Sequence, residues 1–248
     1  MTKINDILPG WPKGTVKTVK ELTSLGLYPS LLQEYTKTKW IELFIKGIYK
    51  IYHDEVTWQG LLYGLQKNKE TEIHAGGKTA LELKGYSHYL GIGWNKVYIF
   101  SNRKLNFNLW LKKFTNITLK RTEVFNFTNE NYFTNYDAGG YKIKISSPEL
   151  ATMEMLYLIP AEQGFDESYH IMEGLTSLRP NFIQSLLESC SSIKVKRLFL
   201  YMAEKAGHGW FGKLNTEKMN LGSGKRMIVE GGVLNKKYNI TVPKEYER

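Results

Sequence analysis

Cysteine is nearly absent from the sequence, and long apolar stretches are absent altogether. Cys190 is the only cysteine among 248 residues, so the chain cannot form an internal disulfide. No run approaches the roughly 20 apolar residues that a membrane-spanning helix needs. The first residues, MTKINDILPGWPKG, lack the apolar core of a signal peptide. We therefore expect a cytoplasmic protein with no membrane partner.

Complete nucleotide-binding and metal-binding motifs are also missing. Two glycine–lysine pairs, in AGGKT (75–79) and NLGSGKR (220–226), resemble the end of a phosphate-binding loop, G-x-x-x-x-G-K-[ST]. Glu72 and Met219 stand where that motif requires its first glycine, and Arg226 replaces the Ser or Thr in the second stretch. The five histidines include no i, i+4 pair of the kind that binds a metal on a helix. The sequence therefore predicts neither a metal nor another cofactor.

The glycines of both stretches are instead interpreted as turn formers. Gly76 and Gly77 are expected to lead into a helix, and Gly222 and Gly224 to open a terminal hairpin. Lys78 would then lie at a helix start, where an anion is stabilised.

No catalytic constellation is visible in the sequence. Glu149, Glu154 and Glu173 form no recognisable acid–base pair, and no G-x-S-x-G stretch marks a serine nucleophile. Cys190 falls within an amphipathic helical pattern, which is a poor environment for a reactive thiol. We therefore expect that the protein is not an enzyme.

Acidic residues are too few to balance the basic ones. The net charge is +10, from 34 Lys and Arg against 24 Asp and Glu, and the first 52 residues hold eight lysines against four acids. This balance favours a polyanionic partner, namely DNA, RNA or an acidic protein. Because a basic isoelectric point is common among proteins in general, charge alone leaves the partner open.

A helix–turn–helix is predicted near the N-terminus. Thr18 fits the N-cap of a capping box in which Glu21 reaches back, Gly26 suits the end of the first helix, and Pro29 suits the first turn of the second. The apolar face of the first helix is expected to contain Val19, Leu22 and Leu25. The residues expected to point inward from the turn and the second helix are Leu27, Leu31, Leu32 and Tyr35, opposite Ser30, Gln33, Glu34 and Lys37.

The next stretch, WIELFIKGIYKIY (40–52), predicts a two-stranded wing with a turn at Lys46-Gly47. A winged helix-turn-helix places its second helix in the major groove, where each base pair presents a distinct pattern of donors and acceptors. Gln33 is suited to adenine, Glu34 could accept from cytosine, and the lysines are suited to phosphates. The predicted DNA-binding residues are Lys13, Lys17, Ser30, Gln33, Thr36, Lys37, Lys39, Lys46 and Lys50. The alternative is a small helical bundle with a solvated basic face, or a winged helix that contacts protein.

The remainder of the chain mixes helices with strands. Helices are expected at 56–69, 78–85 and 107–114, and strands at 96–101, 117–127 and 140–146. Helices then dominate after Ser147-Pro148, which reads as an N-cap followed by a proline at the first helical position, and the chain ends in strand, turn, strand. We predict an α+β protein with a winged helix-turn-helix domain (1–52) and a larger α+β C-terminal domain (53–248).

A second basic surface is predicted in the C-terminal half. It would combine Lys194, Lys196 and Arg197, which lie beside an apolar helical stripe, with Lys225 and Arg226. Lys78, expected at a helix start, is grouped with these residues as part of the same candidate surface. The alternative is a solvated helix end that lies over ordinary core.

Several long stretches, in the same order, resemble AbiEi-type antitoxins of type IV (abortive-infection) toxin–antitoxin systems. The stretches are WPKGTVKTVKELTSLGLYPSLLQEYTKTKWIELFIKGIYKI with VTWQGLLYGLQ, HAGGKTALELKGYSHYL, SSPELATMEML, MEGLTSLRPNFIQSLLESCSSIKVKRLFLYMAEKAGHGWFGKLN and LGSGKRMIVEGGVLNKKYNITVP. The sequence departs from the family pattern in the wing, where Ile45 replaces a glycine and Leu43 stands where a basic residue is usual. Residues 91–140 match the pattern less closely.

The resemblance implies a winged helix that binds promoter DNA and represses its own operon. It also implies a C-terminal domain that counteracts a nucleotidyltransferase-like toxin encoded beside it, without necessarily forming a stable complex. Two other functions remain open from the sequence. One is a DNA-binding repressor with a ligand-sensing C-terminal domain, and the other is an enzyme that modifies the toxin.

Overall fold

A computed structural model describes residues 4–67, 72–86, 96–102 and 113–247. The chain divides into two compact units. The first comprises Met1–Ala75, Asn95–Arg121 and Asn135–Ile145, and the second comprises Gly76–Trp94, Thr122–Thr134 and Ser146–Arg248. Along the described ranges, no helix has both the length and the apolar composition that a membrane crossing requires.

The first unit begins with the winged helix-turn-helix that the sequence predicts. Its elements are α1 (Ile4–Ile7), β1 (Val16–Thr18), α2 (Val19–Ser24), α3 (Pro29–Lys37), β2 (Ile41–Ile45) and β3 (Ile48–Ile51). The three strands form an antiparallel sheet in the order β1-β3-β2. Strands β2 and β3 are joined at Lys46-Gly47, as predicted, and form the wing.

The ends of α2 are fixed by local hydrogen bonds. Thr18 is the N-cap, and its side chain accepts from the Glu21 amide. At the other end, Gly26 adopts a φ of +90°, and the Leu27 amide reaches back to the Leu22 carbonyl, which is the Schellman pattern. The predicted reach of Glu21 back to the cap is wrong, because its carboxylate bonds with Lys17 instead.

One apolar core holds the two helices and the wing together. Leu22, Leu27 and Ile41 are fully buried, and Leu31 and Tyr35 pack partly buried against the same cluster. Leu25 departs from the prediction that it shares this face: it follows the last residue of α2 and is 40% exposed.

Helix α4 (Trp58–Gln66) packs directly on strand β1. Gly60 and Gly64 make this approach possible, since a Cβ on Gly60 would lie 1.7 Å from the Gly14 carbonyl oxygen. A Cβ on Gly64 would lie 2.3 Å from the carbonyl oxygen of Val16. The helix is thus packed on the winged helix within the first unit, and the proposed domain boundary after residue 52 stays a prediction.

A five-stranded sheet completes the first unit. Its strands are β4 (Ile73–Ala75), β5 (Val97–Ser101), β6 (Ile117–Arg121), β7 (Phe133–Asp137) and β8 (Lys142–Ser146), in the order β6-β5-β4-β8-β7. The predicted strands at 96–101 and 140–146 are confirmed. The strand predicted over 117–127 ends at Arg121, and β4 and β7 were not predicted. The predicted helix at 107–114 lies almost wholly outside the described residues.

The second unit is built on helices. They are α5 (Gly77–Leu83), α6 (Pro148–Tyr157), α7 (Phe165–Glu173), α8 (Pro180–Ser189) and α9 (Ile193–Lys205). Ser147 caps α6 as predicted, its side chain accepting from the Leu150 amide. Eight of the ten residues of α6 are buried, because α5, α8 and α9 pack around it.

Three short strands follow the helices: β9 (Arg226–Met227), β10 (Val233–Asn235) and β11 (Ile240–Val242). A terminal hairpin is present as the antiparallel pair β10–β11, but it begins at Val233, and Gly222 and Gly224 lead into β9 instead of opening it as predicted. Strand β9 adds to the other side of β11 in parallel, which was not predicted. Together the two units confirm the predicted α+β class.

Candidate nucleic-acid interface

Helix α3 separates its apolar and polar residues onto opposite faces. Leu32 is 2% exposed and lies in the core, whereas Ser30, Gln33, Glu34 and Lys37 are all exposed. This is the division that the helical spacing predicts. An α-helix with its side chains is about 10–12 Å across, so α3 fits the major groove, which is roughly 12 Å wide.

The wing presents one basic and one apolar side chain. Lys46 is exposed at the turn, where Gly47 supplies a φ of +80°, and no ion pair engages Lys46 in the described structure. Leu43, at the position where the family pattern favours a basic residue, is 53% exposed. Ile45, which replaces a glycine of that pattern, is 7% exposed, so its side chain packs inward rather than lining the surface.

The predicted phosphate-binding lysines fall into two groups. Lys13, Lys37 and Lys46 are exposed, and the described residues place no carboxylate within ion-pair distance of any of them. Lys39 is also exposed, with a φ of +60° and its ammonium 5.8 Å from the centre of the Tyr52 ring.

The other predicted residues are engaged within the module. Lys17 is 6% exposed, bonds with Glu21, and lies over the Trp11 ring at 5.6 Å. The Thr36 hydroxyl donates to the Leu32 carbonyl at 2.7 Å.

Lys50 is likewise held by the wing. Its ammonium lies 2.7 Å from the Glu42 carboxylate and also donates to the Asp54 carbonyl. The hydrogen bond from Lys50 lowers the pKa of Glu42. We therefore leave Lys17, Thr36 and Lys50 out of the proposed contact set.

Tyr28 is a surface residue that the sequence analysis did not select. It precedes Pro29 at the N-cap position of α3, and it is 59% exposed. Its place just before α3 follows from the sequence, since Pro29 is suited to the first helical position and Tyr28 precedes it.

The NLGSGKR loop binds a cation of the protein itself. The Arg197 guanidinium donates to the carbonyl oxygens of Leu221 (2.7 Å), Gly222 (2.9 Å), Gly224 (2.6 Å) and Asn239 (3.1 Å). A phosphate-binding loop aims N–H groups at its ligand, whereas this loop aims carbonyls inward. The loop is therefore a cradle for a guanidinium.

Two other basic residues near the start of α9, Lys194 and Lys196, are also structural. Lys194 donates to the carbonyls of Tyr157 (2.9 Å) and Ile159 (2.5 Å), and burial lowers its pKa. Lys196 is 2% exposed. The structure thus places Lys194, Lys196 and Arg197 inside the second unit rather than on a basic surface, while Lys225 and Arg226 are exposed.

The AGGKT stretch meets an internal carboxylate. Gly77 begins α5, and its amide donates to the Glu154 carboxylate at 2.9 Å; the Ser146 hydroxyl donates to the same oxygen at 2.7 Å. Lys78 pairs with Glu167. The anion expected at this helix start is therefore supplied by the protein.

Glu149 and Cys190 are both held in the interior of the second unit. Arg179 donates to both carboxylate oxygens of Glu149 at 2.9 Å. Burial alone would raise the pKa of Glu149, but the hydrogen bonds from Arg179 outweigh it and the pKa is lowered. Cys190 caps the end of α8 rather than lying inside the helix, and burial raises its thiol pKa to about 11.

Comparison with known proteins decides the family. Residues 1–92 match the model described as "Transcriptional regulator, AbiEi antitoxin N-terminal domain". Residues 94–243 match the model described as "Transcriptional regulator, AbiEi antitoxin, Type IV TA system". The chain belongs to the AbiEi family. The resemblance stated from the sequence is confirmed over nearly the whole length.

A solved structure shares the fold of this AbiEi family member. The RV2827C protein from Mycobacterium tuberculosis superposes with a TM-score of 0.62 at 15% identity, covering 96% of this chain and 88% of that one. No curated protein matches the chain. The AbiEi models describe transcriptional regulators and antitoxins of type IV systems, and the winged helix is the element of this chain suited to the regulatory role.

Proposed function

We propose that the protein is an antitoxin that represses its own operon by binding promoter DNA and counteracts a nucleotidyltransferase-like toxin encoded beside it. The family supports the regulator and antitoxin roles.

The surface of the winged helix is the observation that supports DNA binding. Helix α3 presents donors and acceptors on its exposed face, which includes Lys37, and Lys13, Lys39 and Lys46 are exposed elsewhere in the winged helix. Polar side chains on a recognition helix hydrogen-bond to base edges, and lysines neutralise phosphates. Two acidic residues that would repel phosphates, Glu21 and Glu42, are neutralised by ion pairs with Lys17 and Lys50.

The experiment is a gel-shift titration on the duplex upstream of the operon, repeated over a range of salt concentrations. If the four exposed lysines each displace one phosphate counterion, log K should fall with log salt at a slope of about −4 per protomer. The control is an unrelated duplex of equal length. Absence of a specific complex at low salt would reject DNA binding.

We propose a non-catalytic antitoxin role. Glu149, Glu154 and Cys190, the residues from which an active site would be built, are engaged in packing and internal hydrogen bonds. The test is co-expression with the neighbouring reading frame. Expression of the neighbouring frame alone should stop growth, and co-expression of the protein should restore it. The toxin recovered from the rescued cells should have an unchanged intact mass. A mass increase on the toxin would instead support enzymatic modification.

A further inference from the structure

The acidic residues of the winged helix are unequally compensated. Glu21 pairs with Lys17 and Glu42 with Lys50, and the Asp54 carboxylate accepts from the Gly14 amide at 2.6 Å. Glu34 and Glu55 are different, since both are exposed and no hydrogen bond or ion pair to either carboxylate exists in the described part of the chain. Of the two, only Glu34 lies on α3, in its second turn.

Because of its position, the unpaired carboxylate of Glu34 would weaken binding to the phosphate backbone. It shares the exposed face of α3 with Ser30, one turn before it, and Lys37, one turn after it. Lys37 is close enough in sequence to form an i, i+3 pair, yet the two side chains do not meet. An isolated carboxylate in the middle of a surface for a polyanion repels every phosphate that approaches it.

A carboxylate is favourable at this point only when it faces a hydrogen-bond donor. In the major groove the donors are the amino groups of cytosine and adenine. Adenine carries the acceptor N7 beside its amino group, and an ionised carboxylate has acceptors alone. Cytosine has no acceptor of its own at that edge. The chemistry of Glu34 therefore fits the N4 amino group of cytosine better than any other base.

We propose that Glu34 is a specificity-determining residue, which accepts a hydrogen bond from a cytosine in the major groove and penalises DNA that lacks a cytosine there. This inference rests on the proposed DNA-binding function. Gln33 beside it offers both a donor and an acceptor and is matched to adenine, so α3 selects a site with a cytosine close to an adenine.

The test is selection of bound duplexes from a randomised library, using the full chain and the variant Glu34→Gln. The wild type is expected to enrich a motif with one fixed cytosine for each bound protomer. In the variant, the enrichment of cytosine at that position should fall by about 5- to 10-fold. The enrichment of adenine there should rise, because glutamine can donate as well as accept. The other positions of the motif should be unchanged.

Glu55→Gln is the matched control, because it removes the same charge from an exposed residue outside α3. Both variants should bind random duplex more tightly than the wild type, and only Glu34→Gln should change the motif. Glu34→Ala, checked for an unchanged melting temperature, should lose the cytosine preference without gaining adenine.

The outcomes separate this proposal from the function on which it rests. If the wild type enriches a motif that neither Glu34 variant alters, Glu34 does not read a base and the proposal is overturned while DNA binding stands. If the wild type enriches no motif, sequence-specific binding itself fails.

Discussion

Arg197 shows how one buried charge can organise a loop. Arg197 is 4% exposed, and its guanidinium donates to four carbonyl oxygens, those of Leu221, Gly222, Gly224 and Asn239. The stretch that looked like half of a phosphate-binding loop is therefore shaped by this side chain.

Replacing Arg197 by alanine should lower the free energy of unfolding by about 3 kcal/mol, since it leaves four partly buried carbonyl oxygens without their donor. Urea denaturation followed by tryptophan fluorescence measures this. The control is Arg226→Ala, at an exposed position of the same loop, where we expect a change within about 0.5 kcal/mol. Equal effects of the two substitutions would contradict the cradle.

Glu149 should make the free energy of unfolding depend on pH in the acid range. Its pKa is lowered in the folded state, so its contribution is fully present above the unfolded pKa of about 4.3 and is lost as pH falls through the folded value. The difference in unfolding free energy between wild type and Glu149→Gln should therefore be constant above about pH 5 and shrink on acidification. The exposed Glu217→Gln serves as the control. A difference that does not vary between pH 6 and pH 3 would exclude this role.

At the scale of elements, the packing of α4 on β1 depends on two glycines. Gly60 and Gly64 lie one turn apart on the same helical face, and each approaches a backbone carbonyl of the β1 segment. Because backbone atoms cannot rotate away, a methyl group at either position has to separate the helix from the strand.

Gly64→Ala should cost about 3 kcal/mol or more of stability, at the upper end for an overpacked core. Thermal unfolding measures the effect. Gly212→Ala is the control, because nothing lies within 4 Å of its added Cβ. A melting temperature of Gly64→Ala that is equal to that of Gly212→Ala would show that α4 is free to move.

Lys37, near the end of α3, should act on affinity and not on specificity. Lys37→Ala should weaken binding to all duplexes alike and make the salt slope less negative by about 0.9, the effect of one lost phosphate contact. Lys142→Ala removes an equal charge from strand β8 and should leave the slope unchanged. A sequence-dependent loss for Lys37→Ala would show that this residue reads bases instead.

The parts of the fold that could be predicted are those determined by neighbouring residues. The Thr18 and Ser147 caps, the turn at Gly47 and the two faces of α3 each follow from a few residues in sequence. Strand β4, of three residues, and the parallel pairing of β9 with β11 depend on contacts with other strands, so no local pattern reveals them.

The candidate site was predicted less completely, for the same reason. Exposure of Lys37 and Lys46 follows from helical spacing and from the turn. The burial of Lys17 against Trp11, and of Arg197 among carbonyls, depends on contacts between residues far apart or outside the regular pattern. Charge by itself does not distinguish a basic surface from an internal ion pair.

At the scale of the whole molecule, DNA binding and antitoxin activity should be separable by surface substitutions. The combined variant Lys13→Ala, Lys37→Ala and Lys46→Ala changes exposed residues only, so the fold should be retained. It should lose operator binding and derepress a promoter fusion, yet still rescue cells from the toxin. Loss of rescue in a variant with an unchanged melting temperature would show that the two activities share this surface.

The contact between α4 and β1 has a consequence for protein engineering. A chimera that moves the operator preference of one AbiEi protein onto another has to carry α4 along with the winged helix. A junction placed before α4 would pack α4 of one protein against the β1 segment of another. The backbone carbonyls of that segment lie so close to Gly60 and Gly64 that the two surfaces must fit within tenths of an ångström. Recombination between relatives is subject to the same constraint, so exchangeable segments should begin after residue 66 and not after residue 52.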